Sequence, residues 1–115
     1  MPVLDIRTYK LVPGARADFD RIFREEALPM LERLGIEVVL YGPSTADDDG
    51  YCLIRAFSSA AERDELLGAF YGSEEWQRDY AAEVSGLIEA YHAVVVELTP
   101  AIEDLQASRL APEES

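Results

Sequence analysis

The sequence predicts an α+β domain, one four-stranded antiparallel sheet with helices on a single face, in the order βαββααβ. Three observations carry this prediction. Four segments rich in β-formers, "VLDIRTYKL" (3–11), "IEVVLYGPS" (36–44), "YCLIRAF" (51–57) and "YHAVVVEL" (91–98), read as strands. Two longer stretches, 15–34 and 59–88, repeat their apolar residues at helical spacing. The polar segment "TADDDG" is so short that the second and third strands must form an antiparallel hairpin. A sheet of this order with helices on one side is the ferredoxin-like arrangement.

The first strand ends in the turn "VPGAR". In the helix that follows, Phe19, Ile22, Phe23, Ala27, Met30, Leu31 and Leu34 form the apolar stripe, and Gly35 supplies a left-handed stop. Pro29 removes one backbone hydrogen bond, which predicts a kink near residues 25–29. The aspartates of "TADDDG" partly resemble a calcium loop. The position of its closing glutamate is Ala56, inside a strand, so the segment reads as a solvated turn.

Ser59 and Glu62 form a capping box ahead of a helix with Leu66, Leu67 and Phe70 on its buried side. Gly72 then ends that helix and Ser73 caps another, with Glu74 and Glu75 in its first turn, where they complement the helix dipole. Trp76, Tyr80, Val84, Leu87 and Ile88 continue the apolar stripe to the last strand. Residues 1–98 are expected to form the domain, and 99–115 a short helix opened by Thr99 and Pro100 with an acidic tail.

Among 115 residues there are 23 acidic and 10 basic side chains, a net charge of −13. So negative a surface repels phosphate backbones and anionic lipid, which argues against nucleic-acid and membrane partners. The single cysteine, Cys52, rules out an internal disulfide and sits in a strand as a small hydrophobe. No apolar run approaches the ~18 residues of a membrane helix, and "MPVLDIRTYK" lacks the features of a secretory signal. A cytoplasmic location is expected. No phosphate-binding loop or dinucleotide fingerprint is present, and no cofactor is expected.

Alternation along the strands divides the sheet into two faces. Leu4, Ile6, Ile36, Val38, Leu40, Cys52, Ile54, Ala56, Val94, Val96 and Leu98 lie on one, with Thr8 and His92, and it reads as the helix-covered core. Asp5, Arg7, Tyr9, Val39, Tyr41, Tyr51, Leu53, Arg55, Phe57, Tyr91, Val95 and Glu97 lie on the other. That second face is aromatic and charged together. It is expected to be buried against a second copy of the chain, two sheets closing a barrel as a homodimer.

His92, the single histidine, excludes a multi-histidine metal site. A packing role stands beside a role as general acid or base, with Phe23, Trp76 and Tyr80 as aromatic walls of a substrate pocket. Arg7, Tyr9, Tyr41, Arg55 and Glu97 form a second constellation. Its structural reading is an ion-pair network that fixes the dimer. Its functional reading is an anion or enolate site, with guanidiniums holding the charge, tyrosines donating and Glu97 as base. Pro2, exposed by loss of Met1, would offer a secondary amine for proton transfer, but the predicted hairpin does not fit the parallel β-α-β repeats of tautomerases.

The stretches "IRTYKLVPGARADFDRIF", "LPML…LG", "GYCLIRAF" and "AFYGSEEW" together resemble the bacterial NIPSNAP-like proteins of the dimeric α/β-barrel superfamily, over roughly Val3 to Leu98. The resemblance implies a dimeric α/β barrel whose wider superfamily includes cofactor-independent monooxygenases, cyclases and isomerases. It carries no single chemistry with it. The expected function is binding of a small organic molecule, with cofactor-independent proton transfer, cyclisation or oxygenation of an aromatic or enolisable substrate, such as one of secondary metabolism, as the enzymatic form. A non-catalytic homodimeric scaffold is the alternative.

Overall fold

The computed structural model describes residues 1–98, so the segment assigned above to a short helix and acidic tail lies outside the described residues. Strands β1 (Val3–Leu11), β2 (Glu37–Pro43), β3 (Gly50–Phe57) and β4 (Ile88–Glu97) form one sheet in the order β2-β3-β1-β4, with every neighbouring pair antiparallel. Helices α1 (Arg16–Ile22), α2 (Leu28–Arg33), α3 (Ala60–Tyr71) and α4 (Ala81–Leu87) pack on one face of it. This is the predicted ferredoxin-like α+β fold. Among the described residues no helix is long and apolar enough to cross a membrane.

Most punctuation follows the sequence. Gly35, at φ 77°, makes the left-handed exit from α2. Ser59 Oγ accepts the Glu62 N–H at 3.0 Å. The Glu62 carboxylate reaches back one residue further than a capping box requires, accepting the N–H and hydroxyl of Ser58 at 3.0 and 2.7 Å. At Gly72 a Cβ would lie 2.7 Å from the Gly68 carbonyl oxygen, so only glycine fits there. Ser73 Oγ then accepts the Trp76 N–H at 3.2 Å. "FYGSEEW" is thus a helix stop followed by a helix start.

Two features were not legible. α1 passes into a π-helical turn, Phe23–Ala27, before continuing as α2, and a second π-helical turn, Trp76–Tyr80, precedes α4. The first overlaps the stretch 25–29 where a kink is expected, because Pro29 offers no N–H to the carbonyl of Glu25. Ile88, expected to close a helical stripe, instead begins β4 and pairs with Leu11 across a register shift in β1.

The two sheet faces are the reverse of the expectation. Val3, Asp5, Leu11, Tyr51, Leu53, Arg55 and Phe57 are the buried residues, under the helices. The apolar face carries no helix: Leu4, Ile6, Ile54 and Val96 are half-buried, and Leu40 and Val94 are 54% and 43% exposed. A bulge between Val38 and Leu40 moves Val38 to the helix side, where Ile36 is also buried. His92, opposite Thr8 on β1, is exposed on the open face and not under the helices. Along β1 and β3 the aromatic and charged face is covered by this chain's own helices, while Tyr91, Val95 and Glu97 on β4 stay exposed. Hydrophobicity alone misjudges it because its arginines share the buried Asp5 carboxylate, and its long aromatic side chains fill the space beneath the helices.

Candidate functional site

The charged residues on the helix-covered face meet at one carboxylate. Asp5 and Arg55 are cross-strand neighbours on β1 and β3, both 0% exposed. Asp5 Oδ1 accepts from Arg7 Nε at 3.1 Å and from Arg55 Nη2 at 3.2 Å, while Oδ2 accepts from Arg63 Nε, on α3, at 2.8 Å. Burial pushes the Asp5 carboxyl up. The hydrogen bond from Arg63 and the charges of Arg7 and Arg55 outweigh that and hold it below its ordinary value of 3.8.

Tyr71, the last residue of α3, joins the second row. Its hydroxyl accepts from Arg7 Nη1 at 3.2 Å and from Arg55 Nη1 at 3.1 Å. With both lone pairs engaged, its own proton is left to donate elsewhere. The Arg7 guanidinium lies against the rings of both Tyr71 and Tyr91, 5.5 and 5.8 Å from their centroids. The Tyr9 phenol is pushed up to about 12, chiefly by burial, so it is a hydrogen-bond donor at neutral pH.

These groups face a cavity of about 350 Å³ between sheet and helices. Phe19 and Phe23 line it from the first helical stretch, Phe70 and Trp76 from the second, and Leu53 from β3. Arg7, Tyr9, Arg55, Tyr71, Ser85 and Tyr91 supply its polar lining. The volume is at the lower end of the ~300–1,000 Å³ of small-molecule sites, and a mostly apolar wall with few convergent polar groups is their usual character. Both π-helical turns contribute to the wall, through Phe23, Ala27 and Trp76. Tyr80 Oη donates to Glu26 Oε2 at 2.7 Å and so ties one turn to the other.

Of the residues singled out from sequence, Arg7, Tyr9, Phe23, Arg55 and Trp76 come together in this cavity. Tyr41 and Tyr80 do not line it. Tyr41 packs against Phe23 at a tilt, ring centroids 4.9 Å apart, and Tyr80 lies 6.3 Å from Trp76, ring to ring. His92 is on the opposite face. Glu97 pairs with Val3 on β1, four residues or roughly 13 Å along the strand from Arg7. Sequence reasoning overlooked Asp5, Arg63 and Tyr71 as site residues. Asp5 shares a face with Arg7 two residues on, a signal in plain view, whereas Arg63 and Tyr71 arrive from a helix whose placement no strand pattern specifies. Among the described residues no group of three histidine, cysteine, aspartate or glutamate side chains is placed to hold a metal ion.

The NIPSNAP family profile matches residues 4–102. Solved structures of similar fold include a NIPSNAP family protein of unknown function from Agrobacterium tumefaciens, 25% identical with a TM-score of 0.75, covering 86% of this chain and 92% of that one. A second NIPSNAP family protein from that organism is 20% identical with a TM-score of 0.77, covering 86% and 87%. A putative antibiotic biosynthesis monooxygenase from Bordetella bronchiseptica is 19% identical with a TM-score of 0.68, covering 85% and 97%. No curated protein matches the chain. Because the family profile spans most of its length and relatives of the same family share its fold, the chain belongs to the NIPSNAP family.

Proposed function

We propose that this protein binds a small aromatic molecule in the cavity between sheet and helices, as a homodimer joined through its open sheet face. The observation that carries the reading is the cavity itself, about 350 Å³ with aromatic walls closing on Arg7, Tyr9 and Tyr71. Support for the dimer comes from the uncovered apolar face of Leu4, Ile6, Leu40, Ile54 and Val94, which a second copy would remove from water.

The enzymatic form of this reading is cofactor-independent turnover of an aromatic or enolisable substrate, and its support is the likeness to the putative monooxygenase fold. In that form Tyr9 and Tyr71 donate to the substrate oxygen and Arg7 stabilises developing negative charge. His92 and Glu97, lying elsewhere, take no part. Among the described residues that line the cavity none is a carboxylate or an imidazole, an observation that favours capture of a ligand over proton abstraction from it.

Native mass spectrometry tests this reading. Freshly purified protein should travel as a dimer carrying the extra mass of a small organic molecule. That mass should be missing from Val84→Trp, which fills the cavity from α4. A ligand-free monomer would overturn the proposal.

A further inference from the structure

The charges around the cavity do not balance. Arg7, Arg55 and Arg63 meet two carboxylates, Asp5 and the surface residue Asp64, which pairs with Arg63 at 2.9 Å. Asp5 lies behind the arginines and does not line the cavity, so the two guanidiniums that do line it share one buried carboxylate. This positive excess is held in a chain of net charge −13, where acidic side chains are plentiful but none reaches the cavity wall among the described residues. A guanidinium stays protonated at any pH at which the protein is folded, so the excess persists and favours a counter-charge brought in from outside.

The hydrogen bonds are short by the same measure. Arg55 spends Nη1 on Tyr71 and Nη2 on Asp5, and its buried Nε–H has no acceptor. Arg7 spends Nε on Asp5 and Nη1 on Tyr71, and apart from the neighbouring Tyr9 phenol its guanidinium meets no further acceptor among the described residues. The Tyr71 hydroxyl accepts from both arginines and retains its own proton. Donors are in surplus, and an acceptor is lacking.

We propose that the ligand is a monoanion, a carboxylate or an enolate or phenolate on a planar aromatic body, with its charged oxygen against the Arg7 guanidinium and the Tyr71 hydroxyl and its ring between Phe23, Phe70 and Trp76. The inference rests on the small-molecule reading above and adds the charge of the ligand. Contact of the Arg7 guanidinium with the rings of Tyr71 and Tyr91 restrains it before the ligand arrives, which reduces the ordering cost of binding.

The test uses two probes of one shape, 2-naphthoate and the neutral 2-naphthamide, titrated into the full chain by calorimetry at neutral pH. The indole N–H resonance of Trp76, the single tryptophan, reports whether the cavity is entered. The anion should bind about tenfold or more tightly than the amide, since a hydrogen bond to a charged group contributes more than one to a neutral group. Arg7→Gln should abolish that preference while the amide still binds. This variant leaves Asp5 paired with Arg55 and Arg63, and Tyr71→Phe provides an independent reduction of the same preference. Equal binding of both probes, with the Trp76 resonance moved, would overturn the anion inference and leave the cavity reading intact. Binding of neither, with the resonance unmoved, would remove both.

Discussion

Asp5 carries more of the site's order than any other residue. It is fully buried and accepts from three arginines, so its replacement by asparagine leaves Arg7 and Arg55 without a counter-charge and Arg63 with the surface residue Asp64 alone. Asp5→Asn should lower unfolding free energy in urea by about 3–5 kcal/mol, the usual cost of removing one partner from a buried ion pair. The pH dependence has a definite sign. The folded-state pKa of Asp5 lies below 3.8, so the unfolded chain binds its proton more readily. Its contribution is present above about pH 5 and is lost as pH falls below about 4. Thermal unfolding at pH 5 and pH 3 should therefore show a steep loss for the native sequence and a shallower one for Asp5→Asn. Equal slopes would mean that the carboxylate is not held by the arginines.

At the scale of elements, the two π-helical turns are the unusual parts, and both border the cavity. The Tyr80–Glu26 hydrogen bond of 2.7 Å links them, and the surface pair Arg33–Glu75, at 3.0 Å, links the same two helical stretches. Tyr80→Phe should speed amide hydrogen exchange across residues 76–80 while leaving the melting temperature nearly unchanged, because the bond secures one turn and not the core. Unaltered exchange would show that Trp76 is held by ring packing alone. Capping was the most legible feature at this scale. Ser59 and Ser73 are legible as caps because a cap hydroxyl satisfies an N–H three residues on, an interaction local enough to be read from the chain, and both make that bond. Ser59→Ala should cost about 1 kcal/mol in chemical denaturation.

For the whole molecule, the proposed dimer rests on the uncovered sheet face. Leu40 and Val94 are 54% and 43% exposed in the single chain. On a two-fold interface each substitution occurs twice, so Leu40→Glu or Val94→Glu would bury a pair of carboxylates without partners. Either variant should weaken the dimer at least about a hundredfold in sedimentation equilibrium while keeping its helical circular dichroism. Retention of a tight dimer would require the copies to meet elsewhere. The corresponding variants of the helix-covered face, such as Arg55→Ala, should unfold the domain instead of dissociating it.

The sequence by itself determined the order of strands and helices, the β2–β3 hairpin, the caps and the family, since each depends on spacing within a few residues or on similarity along the chain. Tertiary structure alone decided which face of the sheet the helices cover. Alternation at period two separates a strand's residues into two sets, yet it cannot say which set faces inward when both are rich in large apolar side chains. That choice fell to Arg63 and Tyr71, brought by α3 from 58 and 64 residues beyond their partners Asp5 and Arg7. With their hydrogen bonds made, burying the charged face became tolerable, and His92 was left on the open side.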